Sequence, residues 1–153
     1  MNKNLVNVIG LGYIGLPTAL MMAAHGVYVI GTDYNPELVA SLQAGRLTFK
    51  EEGLEELFRQ AVAGGIQFTT EYSKQANIYI VSVPTPYDKA SKRVDASYVT
   101  AAVNCVLDVC PKGAIVVVES TISPLSLIHI SEPTRPKDKS YAVFRVKKKT
   151  GGG

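Results

Sequence analysis

The sequence predicts an α/β domain built on a doubly wound parallel sheet. Three observations carry that expectation. Short, β-branched-rich apolar runs recur five times along residues 1–124, and helix-patterned segments or turns separate them. The runs are mostly continuous rather than alternating, as strands covered on both faces are. A chain of 153 residues that is 46% hydrophobic and 19% charged also supplies one ordinary core. Disordered, collagenous and low-complexity classes are thereby excluded.

The elements follow in order. The first run, residues 5–9, leads into a glycine-rich turn and a helix over 14–25, rich in Ala, Leu and Met. Gly26 ends that helix at C′, and Pro17 falls in or just past its first turn, where a missing N–H costs little. The second run, 27–30, is followed by a helix that Pro36 starts, Asn35 can cap and Gly45 can stop. A helix over 54–62 has Glu51, Glu52, Glu55 and Glu56 at its N-terminal end, where the helix dipole favours carboxylates, and Gly64-Gly65 closes it. Runs three and four are 66–68 and 78–83. Asp95 opens a helix to about residue 109, Pro111 stops it, and the fifth run is 114–118. Strands and helices in this alternation imply right-handed crossovers.

The first turn carries the chemistry. Gly10-Leu11-Gly12-Tyr13-Ile14-Gly15 reads G-x-G-x-x-G directly after a strand and opening a helix. Gly10 permits the tight turn, Gly12 lets a pyrophosphate approach the backbone, and Gly15 lets helix and strand pack closely. N–H groups around Tyr13 and Ile14 would face the phosphates. Asp33, after the second strand, is placed to bind both hydroxyls of an adenosine ribose and to repel a 2′-phosphate. No Arg or Lys follows until Arg46, so NAD is expected rather than NADP. The bland alternative is a glycine turn in a non-binding protein, with Asp33 as a cap; the whole strand–turn–helix–strand–acid context weighs against it. The expected fold is a Rossmann-type sheet of about five strands, which the family resemblance below implies is truncated.

Two more loops fall at carboxyl ends of strands, where ligands of open α/β sheets lie. Val81-Ser82-Val83-Pro84-Thr85-Pro86 places the Thr85 hydroxyl toward cofactor or ordered water, although a rigid loop alone would explain it. Glu119-Ser120-Thr121-Ile122-Ser123-Pro124 ends the fifth strand.

With these loops in view, residues 1–124 resemble the NAD-binding domain of the UDP-glucose/GDP-mannose dehydrogenase family. The matching pieces are VIGLGYIGLPTA at 8–19, Asp33, EEGLEEL at 51–57, VSVPTP at 81–86 and VESTISP at 118–124. The V-P-T-P form followed by Tyr87 is more similar to the branch that acts on UDP-N-acetylhexosamines, with UDP-N-acetyl-D-mannosamine the expected sugar. UDP-glucose or GDP-mannose is the alternative. The resemblance implies a two-step, four-electron oxidation of the sugar C6 alcohol to a carboxylate by two NAD⁺, for polysaccharide biosynthesis. It implies a cysteine that holds the intermediates covalently, and a lysine and an asparagine that stabilise the oxyanion. Carried over by residue, Gly10, Gly12, Tyr13, Ile14 and Gly15 surround the pyrophosphate and Asp33 holds the ribose. Thr85 and Thr121 sit near the nicotinamide, Thr121 as a supporting residue for the hydrolytic water. No metal is implied, and full-length members are expected to be homo-oligomers.

The chain also departs from that pattern. The catalytic cysteine, lysine and asparagine belong to parts that residues 1–124 do not contain, so the chain alone is expected to be inactive. Cys105 and Cys110 lie on one helix, five positions apart, and read as small buried side chains. They make neither a disulfide framework nor C-x-x-C, which favours a reduced cytoplasmic setting. His25 reads as a polar cap or surface residue rather than a base. No signal-peptide segment and no apolar stretch of about 18 residues is present, so no membrane partner is expected.

The net charge of +3 is uneven. Residues 1–124 carry 9 Lys+Arg against 11 Asp+Glu, whereas 125–153 carry 7 against 2. The basic excess belongs to the tail and does not argue for nucleic-acid binding by the body. Leu125 stands where the family pattern has Gly, and residues 126–136 look like translated adapter sequence. The expected division is therefore 1–124 as the NAD-binding domain and 125–153 as a non-family tail, disordered or artefactual. A competing reading is a non-catalytic dinucleotide-binding module with that tail as a basic tether. Dehydrogenases of the 6-phosphogluconate or 3-hydroxyacyl type fit less well, because they do not share both the VPTP and ESTISP loops.

Overall fold

The computed structural model describes residues 4–119. In chain order the elements are β1 (Leu5–Ile9), α1 (Gly15–Ala24), β2 (Tyr28–Thr32), α2 (Pro36–Gln43), α3 (Leu54–Ala63), β3 (Gln67–Thr69), β4 (Ile78–Val81), β5 (Tyr87–Asp88), β6 (Arg93–Val94), α4 (Ser97–Val109) and β7 (Ile115–Val118). Five strands form one parallel sheet in the order β3-β2-β1-β4-β7. The order reverses at β1, so a crevice opens between the carboxyl ends of β1 and β4. Ile9 pairs with Thr32 on one side and Val81 on the other, which brings the ends of β1, β2 and β4 level.

Successive residues of a strand face opposite sides of a sheet, and the core divides accordingly. Val6 and Val8 pack with Leu16, Leu20, Phe58 and Phe68 under the α1, α2 and α3 layer. Ile9 packs on the other face with Tyr79, Val81, Val103 and Val106 beneath α4. The doubly wound reading of the sequence is therefore observed.

The boundaries shift for identifiable reasons. β2 runs on through Gly31 to Thr32; a Cβ at Gly31 would lie 3.0 Å from Leu11 and 3.1 Å from Phe68, so this glycine serves close packing. β4 stops at Val81, two residues before its expected end. α4 begins at Ser97 rather than Asp95, whose Oδ1 instead accepts the Ser97 N–H at 2.9 Å. The Ser97 hydroxyl and this N–H hold the Asp95 carboxyl below the ordinary 3.8. Cys110, preceding Pro111, is extended at ψ 144° and ends α4. Asn35 caps α2 as expected, accepting from the N–H of Glu37 at 3.0 Å and of Leu38 at 3.4 Å.

Three features depart from the sequence reading or lie beyond it. The β5–β6 hairpin was not anticipated; Asp88 organises its turn, accepting from the Ala90 N–H at 3.0 Å and the Ser91 hydroxyl at 2.8 Å. Only Cys110 of the two cysteines is buried, and Cys105 is exposed. Five helical positions turn the side chain by about 140°, which takes Cys105 off the stripe formed by Val99, Ala102, Val103 and Val106. Asn7, wholly buried in the middle of β1, donates to the Ile30 carbonyl at 2.9 Å and Thr32 Oγ1 at 2.8 Å, and accepts the Ser73 N–H at 3.0 Å. Thr32 Oγ1 donates in turn to the Glu71 carbonyl at 2.9 Å. This network fastens the β3–β4 connection to the sheet.

Candidate functional site

The glycine turn lies between the ends of β1 and α1, and its conformation follows from its residues. Gly10 has φ +95°, and a Cβ on it would stand 2.6 Å from the Ser82 carbonyl oxygen, so both backbone shape and space require glycine. Its N–H donates to the Thr32 carbonyl at 2.8 Å, which ties the turn to β2. A Cβ on Gly15 would fall 1.7 Å from the Gly10 oxygen. Gly12 differs: a Cβ there would meet nothing within 4 Å. The space beside Gly12 is thus open for a ligand, whereas the other two glycines close the turn on itself.

Helix α1 starts at this turn without a side-chain cap and with no acidic residue in its first turn. Its first N–H groups and the positive end of its dipole can therefore serve an anion. Tyr13 and Ile14 stand at the rim, 77% and 61% exposed. The Tyr13 ring meets Phe49 of the α2–α3 connection at 4.6 Å between centroids.

Asp33 faces the same turn. Its Oδ2 accepts the Leu11 N–H at 2.9 Å and its Oδ1 accepts the Asn35 N–H at 3.0 Å. Each carboxylate oxygen retains acceptor capacity, so the group is fixed in orientation yet able to receive hydroxyl donors. Tyr72 stands nearby, its hydroxyl pushed up to about 12 by burial first and then by the Cys105 thiol and the Asp33 charge. It stays neutral and remains a donor across the physiological range.

Gly10, Gly12, Tyr13, Ile14, Asp33 and Thr85 line one cleft of about 430 Å³. Gly15 lies beneath the turn as a packing residue, and Thr121 lies outside the described residues. Leu38, Tyr72, Ser82 and Glu119 also line this cleft, and sequence reasoning assigned none of them a role. Glu119 had a signal in its strand-end position; Tyr72 had none, because the irregular β3–β4 connection delivers it. A wider depression of about 1200 Å³ along residues 45–59 carries charges of both signs and shares none of the turn's residues. Among the described residues no group of three or more His, Cys, Asp or Glu could hold a metal, and no helix is long and apolar enough to cross a membrane. His25 stands at the C-cap of α1, with Nδ1 2.7 Å from the Met21 carbonyl oxygen.

The cleft fits a dinucleotide by its own chemistry: an open approach at Gly12, an uncapped helix N-terminus, and an oriented carboxylate at the end of β2. Comparison with known proteins agrees. Residues 4–147 match the model of the UDP-glucose/GDP-mannose dehydrogenase family, NAD binding domain. UDP-N-acetyl-D-mannosamine dehydrogenase of Methanococcus aeolicus is 41% identical over 123 residues, which is 79% of this chain and 28% of that protein. The enzyme of the same name from Salmonella typhi is 40% identical over 121 residues, 79% of this chain and 29% of that one. The solved UDP-N-acetyl-mannosamine dehydrogenase of Staphylococcus aureus superposes with a TM-score of 0.76 at 37% identity, covering 81% of this chain and 30% of that chain. The chain thus spans under a third of the length of these relatives. Its sheet order, its glycine turn and the family match over most of its residues agree, and the chain belongs to the UDP-glucose/GDP-mannose dehydrogenase family, whose NAD-binding domain it carries.

Proposed function

We propose that this chain is the NAD-binding part of a nucleotide-sugar 6-dehydrogenase that converts the C6 alcohol of a UDP-N-acetylhexosamine, UDP-N-acetyl-D-mannosamine first among them, to a carboxylate. The names of the relatives support that sugar. The observation that carries the reading is the Asp33 carboxylate bonded to the Leu11 N–H of the glycine turn, which joins the ribose and phosphate positions in one rigid unit. In this reading residues 1–124 are the domain and 125–153 a tail outside it. The complete enzyme is a cytoplasmic homo-oligomer with no nucleic-acid partner.

Bound NAD⁺ would supply the hydride acceptor. Gly12 lets the diphosphate approach the backbone, Gly10 makes the tight turn, Gly15 holds helix against turn, and the N–H groups at Tyr13 and Ile14 receive its charge. Asp33 accepts from both ribose hydroxyls and disfavours a 2′-phosphate. Thr85 orients the nicotinamide half, and Thr121 supports the hydrolytic water. The covalent chemistry belongs to residues outside 1–124, so these side chains bind and orient.

The test is calorimetric titration of the chain with NAD⁺ and NADP⁺. NAD⁺ binds and NADP⁺ binds more weakly. Asp33→Asn weakens NAD⁺ by about 10-fold or more, the worth of hydrogen bonds to a charged group, and narrows the preference. With UDP-sugar present, this chain alone forms no NADH. A folded sample that releases no heat with NAD⁺, or one that turns over a UDP-sugar, sinks the proposal.

A further inference from the structure

Ser82 follows β4 at the floor of the cleft and is 9% exposed. Its backbone is fixed on both sides. The N–H donates to the Ile9 carbonyl at 2.7 Å, and the carbonyl crowds Gly10. A Cβ added at Gly15 would lie 3.2 Å from Ser82 Cβ. The side chain is thus held between the two ends of the glycine turn.

Its hydroxyl is buried and has no hydrogen-bond partner among the described residues, and no other buried side-chain nitrogen or oxygen there shares that state. The contrast with its neighbours is sharp: the side chains of Asn7 and Thr32, buried more deeply still, both have hydrogen-bond partners. A buried hydroxyl without a partner is disfavoured, and it calls for a ligand or water that completes it.

Resting on the dinucleotide-binding reading above, we infer that Ser82 is a further cofactor-positioning residue. Its hydroxyl donates a hydrogen bond to the diphosphate segment that lies against Gly10 and Gly12, directly or through one water held by that segment. Hydroxyl donation to an anionic oxygen is the chemistry common to both routes. The free protein carries the unpartnered hydroxyl, and the bound form satisfies it.

Ser82→Ala tests this, with Ser82→Cys as a near-isosteric second variant. In calorimetry, NAD⁺ and ADP-ribose bind Ser82→Ala about 5- to 10-fold more weakly. Adenosine, which lacks the diphosphate, binds as to wild type. The melting temperature of the ligand-free variant holds or rises, because an unsatisfied polar group has been replaced by an apolar one. Ser82→Cys, a weaker donor, falls between the two. Unchanged NAD⁺ affinity in Ser82→Ala overturns the inference while leaving the parent reading standing. So does a lowered ligand-free melting temperature with adenosine weakened in parallel, since the hydroxyl would then serve the fold. If the wild-type chain does not bind NAD⁺, both readings fall together.

Discussion

Two glycines three residues apart should respond to the same substitution in opposite ways. At Gly12 an added methyl meets nothing within 4 Å, and the backbone lies outside the left-handed region, so Gly12→Ala should fold normally. Loss of unfolded-state freedom favours the variant by about 0.4–1 kcal/mol. At Gly15 the methyl would lie 1.7 Å from the Gly10 carbonyl oxygen, half the 3.4 Å at which ordinary contact begins. Backbone stands on both sides of that overlap, and no side chain can rotate away. The turn must open by well over an ångström, at a cost of about 3 kcal/mol or more, the upper end of overpacking penalties. Binding separates the two differently: the open space at Gly12 is where the diphosphate approaches, and a methyl there should reduce NAD⁺ affinity by about 10-fold or more. Urea denaturation and calorimetry of both variants decide the matter. Gly12→Ala that binds NAD⁺ like wild type would refute the assignment of that space to the cofactor, and Gly15→Ala of wild-type stability would refute the packing argument.

Three further outcomes are expected. Asn35→Ala removes the acceptor of the Glu37 and Leu38 N–H groups and should cost about 1 kcal/mol, read by urea denaturation. Asn7→Ala strips partners from the Ser73 N–H, the Ile30 carbonyl and Thr32 Oγ1 at a buried site and should cost about 2–4 kcal/mol, with faster amide exchange at Ser73 as its local signature. Tyr72 titrates near 12 when folded and near 10 when unfolded, so its contribution is fully present below pH 10 and is lost as pH rises toward 12. Tyr72→Phe should flatten the fall in melting temperature across that window; an unchanged slope would show that other groups cause it.

The parallel sheet and its glycine turn were readable from short stretches of sequence. Continuous β-branched runs mark strands buried on both faces, and the strand–glycine turn–helix–acid order is local in sequence. For that reason Gly10, Gly12 and Asp33 could be read from the sequence as neighbours, and they line one cleft. Features that depend on distant segments meeting emerge only in the folded chain. Asn7 is an ordinary polar residue in a strand until the β3–β4 connection folds over it and supplies Ser73, 66 positions away. The five-residue spacing puts Cys105 and Cys110 about 140° apart around the helix, and the packing of α4 on the sheet decides that Cys110 is the buried one. Ser82 gains meaning from the two glycines pressed around it, and its hydroxyl has no partner among the described residues. Periodicity reports which face of an element is buried; it carries no information about which distant group completes a hydrogen bond.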